Sequence, residues 1–165
     1  MENKINIQRF REFKEDFNTF GVENKYIIEI EKKTSNSYNF VSKYLNIISF
    51  DDYINNENLY QVVARKNNKI VGVRIFRMKE SKIHLNYSVV DIQERNKALN
   101  RKMLLKIEKY AIKNKVNIIT SNVRKSNIAS LNSLLKSGFT INQNYDLYYT
   151  DGEKKIPLFK KIKIN

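Results

Sequence analysis

The sequence contains no cysteine. Disulfides, thiolate metal sites and a cysteinyl covalent intermediate are therefore excluded. The absence also leans toward a reducing compartment, because small secreted domains are commonly stapled by disulfides. Proline occurs once, at Pro157, and glycine four times. No Pro/Gly-rich linker, internal repeat or low-complexity tract divides the chain. One domain over residues 1–165 is the expectation, and that length suffices for one hydrophobic core. No apolar run approaches the roughly 18 residues of a membrane span. The start, Met1-Glu2-Asn3-Lys4-Ile5-Asn6, lacks the basic and then apolar profile of a signal peptide. A soluble, cytoplasmic chain without membrane partners is expected.

Acidic residues are also in deficit, with 17 Asp and Glu against 31 Lys and Arg, for a net charge of +14. Hydrophobic residues make up 41% and charged residues 29%, a balance that supports a folded core. The lysines are scattered through every segment among many Asn and Ile residues, as in a chain of biased overall composition. A nucleic-acid partner is the weaker reading of the charge, since no stacking motif accompanies it, although charge alone does not exclude one. The charge does favour steering of a phosphorylated ligand. Nothing in the sequence decides between a monomer and a homodimer.

From Tyr60 onward the periodicity is readable. Tyr60 to Arg65 and Ile70 to Met78 read as two strands, joined by Lys66-Asn67-Asn68-Lys69 as a tight hairpin turn. Ile83 to Val90 alternates, with Ile83, Leu85, Tyr87 and Val89 expected on one face and His84, Asn86, Ser88 and Val90 on the other. A helix is expected from about Leu99 to Lys113, with Leu99, Met103, Leu104, Ile107, Tyr110 and Ala111 at helical spacing. Val116 to Thr120 reads as a buried strand, and Asn127 to Ser137 as a second helix closed by Gly138 in a left-handed cap. Phe139 to Thr150 and Ile156 to Ile162 read as strands joined through Asp151-Gly152. Before Tyr60 the pattern is weaker: a strand over Ile5 to Phe10, and helical stretches in Arg11 to Phe20 and Ser37 to Tyr44. The order points to a mixed α/β sheet with a right-handed crossover between the Ile83 and Val116 strands. Ligands of such sheets bind beyond the carboxyl ends of the parallel strands.

The stretch Val90 to Arg101 is a polar loop that leaves a strand and opens an amphipathic helix. The first N–H groups of a helix are unpaired and its start is electropositive, so a phosphate can be held there. Arg95, Lys97 and Arg101 add positive charge at the same point. Taken alone, the loop reads better as a plain strand-to-helix connection with solvated lysines. The next segment follows at the distance expected of a second motif: Asn127, then Ser130, Leu134, Gly138 and Phe139.

Together the two segments resemble the GNAT superfamily of N-acetyltransferases, whose pattern is Arg/Gln-x-x-Gly-x-Gly/Ala at the pyrophosphate loop. Here that loop reads Arg95-x-x-Ala98-x-Asn100, so both usual glycines are replaced. Alanine keeps most of the close approach to phosphate, and Asn tolerates left-handed angles and caps helix starts. The resemblance spans about Tyr60 to Ile162. It implies a mostly antiparallel central sheet, flanked by helices, with one parallel pair splayed at the cofactor cleft. It implies acetyl-CoA as acyl donor, with no metal, held by Ser88, Val90, Arg95, Asn96, Lys97, Ala98, Leu99, Asn100, Arg101, Asn127 and Ser130.

The resemblance further implies direct acyl transfer to a primary amine. His84, the only histidine, lies eleven residues before Arg95, where the family often carries a glutamate base. Its ordinary pKa near 6.5 suits base chemistry at neutrality; the competing reading is a sheet histidine that lines the cleft. Leu134 stands where many members carry a proton-donating tyrosine, and leucine donates nothing. Tyr145, Tyr148 and Tyr149 are the substitute candidates, with Tyr145 taken beside His84 as the catalytic pair. The acceptor is expected to be a small-molecule amine: an amino sugar, an amino acid or a polyamine. A protein or aminoacyl-tRNA acceptor and a non-catalytic GNAT-like binding module are the alternatives.

Overall fold

In the computed structural model, residues 26–46 and 49–165 are described. The strand and helices expected over Ile5 to Phe20 lie outside them. The best-encoded piece is a meander of three antiparallel strands, β2 (Leu59–Lys66), β3 (Lys69–Lys79) and β4 (Lys82–Val90). Asn67 and Asn68 both take positive φ, 50° and 62°, which is the tight hairpin turn that an Asn pair permits. The helix α3 (Leu99–Lys113) follows, then β5 (Ile118–Arg124), α4 (Ile128–Lys136) and β8 (Lys154–Lys161).

Before the meander come β1 (Ile27–Glu31), α1 (Ser35–Tyr44) and α2 (Phe50–Asn55). The long strand expected over Phe139 to Thr150 is instead two short pieces, β6 (Thr140–Ile141) and β7 (Leu147–Tyr148), both laid against β8. The sheet runs β1-β2-β3-β4-β5-β8-β6, with β7 also on β8, and every pairing is antiparallel except β4 with β5. The expected mixed, mostly antiparallel sheet flanked by helices is what the chain forms.

Helices cover the two faces differently. On one face, α3 buries Leu99, Met103, Leu104, Ile107 and Ala111 against Val62, Phe76, Ile83, Leu85 and Ile119. Each large side chain removed from water contributes roughly 1.5–3 kcal/mol. Gly72 gives the helix close approach, since a Cβ there would stand 3.3 Å from the Met103 methyl carbon, which would have to shift slightly. The carboxyl end of α4 is closed by Gly138 at φ 91°, with Phe139 N–H donating to the Leu134 carbonyl at 3.1 Å. On the other face, α1 and α2 cover Val63, Val73, Ile75 and Val89. A buried polar knot crosses that layer: Tyr53 hydroxyl donates to Gln61 Oε1 and lies 2.9 Å from Ser37 Oγ.

The alternation expected along β4 fails halfway, and the failure shapes the site. The register with β3 passes from Ile75↔Tyr87 to Phe76↔Leu85, so Asn86 is an extra residue, a β-bulge. Ile83 and Leu85 pack under α3, whereas Val89 packs on the α1/α2 side. The bulge has exchanged the faces: Tyr87 lies with Val89, and Ser88 with Val90.

Candidate active site

β4 and β5 pair only from Lys82↔Ile118 to Leu85↔Ser121. Beyond that point β4 stays with β3 and β5 stays with β8, and the strands separate. A bulge adds local twist at the same place, which carries the end of β4 away from its neighbour. The edge of β4 from Asn86 to Val90 therefore faces a gap instead of a strand. Its main-chain donors and acceptors are available to an extended ligand carrying amides. Asn86 Oδ1 is buried here without a hydrogen-bond partner.

His84 stands at the vertex of the gap, on the face away from α3. Its Nδ1 lies 2.9 Å from Thr120 Oγ1, across the parallel pair from its register partner. Thr120 Oγ1 also lies 3.4 Å from the Ile83 carbonyl, so the hydroxyl can accept the Nδ1 hydrogen while donating there. With Nδ1 as the donor, Nε2 keeps a free lone pair. Burial first, and then the positive charges of Arg77 and Lys155, hold the His84 pKa below its ordinary 6.5. At neutral pH the ring is an uncharged base.

At the far end of β4 the chain makes a one-turn 3-10 helix over Ile92–Glu94 and then opens α3. Ala98 is the residue before the first helical one, at φ 58°, and no side chain caps the helix. Asn96 is also left-handed, at φ 63°. These two positions supply the backbone angles for which glycine is usual. Asn100, expected to help through its own tolerance of such angles, is instead helical, and Ser88 hydroxyl donates to its Oδ1. The first N–H groups of α3, at Leu99, Asn100 and Arg101, have no intrahelical acceptor and point outward at the positive end of the helix.

The loop is tied down on both sides. Tyr44 hydroxyl donates to Asp91 Oδ2 at 3.1 Å, and Asp91 Oδ1 accepts the Gln93 N–H at 2.9 Å. Glu94 is buried and accepts from Tyr26, from Lys97 Nζ at 3.0 Å and from Lys66 Nζ at 3.1 Å. Burial opposes its ionisation, but these hydrogen bonds outweigh it and hold the carboxyl at about 2. Lys97, expected to face the phosphates, is thus committed to Glu94. Arg95 donates from Nε to the Val90 carbonyl at 3.1 Å and is otherwise exposed, like Arg101.

The second motif has structural work to do. Asn127 Oδ1 accepts the Ser130 N–H at 3.1 Å and caps α4. Leu134 is buried in the core under α3. Of the three tyrosines, Tyr145 and Tyr148 are exposed, at 58% and 55%. Tyr149 is half-buried, its hydroxyl donating to the Asn122 carbonyl at 3.5 Å, where β5 has left β4. Its ring is covered by the Arg124 guanidinium at 4.1 Å and by Lys155 Nζ at 4.8 Å. Thr120, Glu94, Arg77 and Lys155 are the functional neighbours that sequence reasoning missed. Glu94 lay inside the motif, but its partners come from other elements, and the others needed the register of β3, β4, β5 and β8.

The acetyltransferase (GNAT) family profile matches residues 24–139. No curated protein sequence matches the chain. Among solved structures, the ribosomal-protein-S18-alanine N-acetyltransferase of Escherichia coli is 22% identical at a TM-score of 0.67, covering 84% of this chain and 96% of its own. The IAA acetyltransferase of Bacillus cereus is 14% identical at 0.68, with 83% and 99% covered. The Bacillus subtilis acetyltransferase solved in complex with CoA is 17% identical at 0.66, with 84% and 100% covered. At these identities the structures speak for the fold, while the profile covers most of the sequence, including the gap, the loop and the opening of α3. By that match the chain belongs to the GNAT acetyltransferase family.

Proposed function

We propose that the chain is a single-domain, cytoplasmic N-acetyltransferase that moves an acetyl group from acetyl-CoA directly to the primary amine of a small molecule. The observation that carries this reading is one gap with two chemistries on its rim. The uncapped, electropositive start of α3 lies at its mouth. A neutral imidazole with a free Nε2 lies at its vertex. The residues fit the donor: the free edge of β4 at Ser88 and Val90 suits the amides of a pantetheine arm. The N–H groups of Leu99, Asn100 and Arg101, with the Arg95 and Arg101 side chains, suit a diphosphate. Ala98 and Asn96 supply the glycine-like angles that the loop needs, which favours a working loop over a non-catalytic binding module.

In the reaction the amine nitrogen attacks the thioester carbonyl, the C–N bond forms and the C–S bond breaks. His84 Nε2 takes the proton that the amine sheds. The leaving thiolate takes a proton from a nearby hydroxyl or from water. Tyr149, reaching the open end of β5, is the better-placed donor, and Tyr145 is the exposed alternative. Proximity along the β4 edge supplies much of the acceleration.

Thiol release is a clean assay for this protein, because the chain has no cysteine of its own to react. With a turned-over amine, His84→Ala is expected to lower kcat about 100-fold or more at neutral pH while CoA affinity stays within twofold. The acid limb of the wild-type profile, below pH 6.5 because the His84 pKa is lowered, vanishes with the ring. An unchanged profile in that variant removes His84 from the mechanism.

A further inference from the structure

We propose that the acceptor amine carries a carboxylate or phosphate, and that Arg77 and Lys155 receive it beside His84. This rests on the acetyl-transfer reading and specifies its substrate. Arg77 is the β3 register partner of His84, and the two side chains leave the same face of the sheet. Along β8, Leu158 is buried under α3, so Lys155 and Pro157 project to the His84 face. Lys155 Nζ lies over the Tyr149 ring at 4.8 Å, and the hydroxyl of that ring reaches the open end of β5. The two cations thus stand on either side of the vertex.

Neither cation enters an ion pair among the described residues. The carboxylates on the neighbouring hairpin are engaged by other cations. Asp151 and Glu153 pair with Arg124 at 2.6 and 2.8 Å, and Asp146 pairs with Lys154 at 3.2 Å. The charges that act on His84 are those of Arg77 and Lys155, and both oppose its protonation. A diamine would bring a further positive charge into their field. An acceptor with an anionic group would cancel it, and would lift the opposition to proton transfer once bound. Substrate binding then strengthens the base that serves it.

The test is thiol release with acetyl-CoA and matched acceptors: an amino acid against its amide, an aminoalkyl phosphate against the amino alcohol, and a diamine. The anionic member of at least one pair is expected to show about tenfold or greater kcat/KM over its neutral partner, on the scale of two partly exposed ion pairs. The pair that responds distinguishes carboxylate from phosphate. Arg77→Gln combined with Lys155→Gln is expected to collapse that ratio about tenfold. Equal or better turnover of the neutral amines or the diamine overturns the inference alone, as does a preference that survives the double substitution. Turnover of no amine by an enzyme that binds acetyl-CoA overturns the acetyl-transfer reading and this inference with it.

Discussion

Replacing Arg74 is expected to make the protein more stable. Arg74 lies on β3 between Gly72, which faces Met103, and Phe76, whose ring lies 5.8 Å from that of Tyr110 on α3. The residue is only 8% exposed, its Nε is buried without a partner, and no carboxylate pairs with it among the described residues. Burial lowers its pKa from the ordinary guanidinium range to about 10. At about 1.36 kcal/mol per unit, the folded state carries a cost on the order of 3 kcal/mol for keeping this cation charged. The group binds its proton more tightly when unfolded, so the cost is complete below pH 10 and fades as pH rises through 10 toward the ordinary guanidinium range.

Arg74→Met keeps an unbranched side chain of similar reach and removes the charge. After allowance for imperfect packing, a gain of about 1–3 kcal/mol is expected at pH 7, or roughly 2–9 °C in Tm for a domain of this size. Urea unfolding followed by circular dichroism would show a higher midpoint at unchanged slope. A loss of more than about 1 kcal/mol would refute the reasoning, because it would mean the guanidinium has a compensating partner in solution.

Ala98→Gly is expected to stabilise by about 1 kcal/mol, since alanine pays for its left-handed angle and glycine does not; CoA affinity in a calorimetric titration should hold or tighten. Glu94→Gln should cost about 1–3 kcal/mol, because Lys66 and Lys97 lose their charged acceptor. Its contribution in the wild type is complete above pH 4.5 and is lost as pH falls toward about 2, so acid unfolding of the variant should be shallower in that window. Asn127→Ala removes the cap of α4 and should lower stability by about 0.5–2 kcal/mol in the same urea assay.

What the sequence made legible was local. The β2–β3 hairpin follows from an Asn pair between two β-branched runs, and α3 follows from five buried positions at helical spacing. Its bounds agree with the periodicity to the residue. The bulge at Asn86 was not legible, because an extra residue in one strand shows only against its partner, and it reversed the faces of Tyr87, Ser88, Val89 and Val90. β1 escaped because it is only five residues long, although Ile28 and Ile30 alternate with Glu29 and Glu31. The short helix α2 escaped too, although Ser49 accepting the Asp52 N–H was a readable cap.

The site divides in the same way. His84, Arg95 and Ala98 sit in one continuous stretch and were singled out through the resemblance to the family pattern. Thr120, Arg77 and Lys155 reach His84 only through the register of four strands. The pairing of Lys97 with Glu94 was not legible, because Glu94 is held by Lys66 and Tyr26 from β2 and the approach to β1. Non-local contacts decided those roles, and no periodicity carries them.

Calorimetric titration with acetyl-CoA and with free CoA tests the central claim most directly. The open edge of β4, the uncapped start of α3 and the exposed Arg95 and Arg101 predict binding of both ligands at micromolar Kd. The affinity should fall several-fold in Arg95→Ala, mostly at low salt. No heat and no saturation at millimolar ligand would contradict the account and leave the GNAT fold without the chemistry proposed for it.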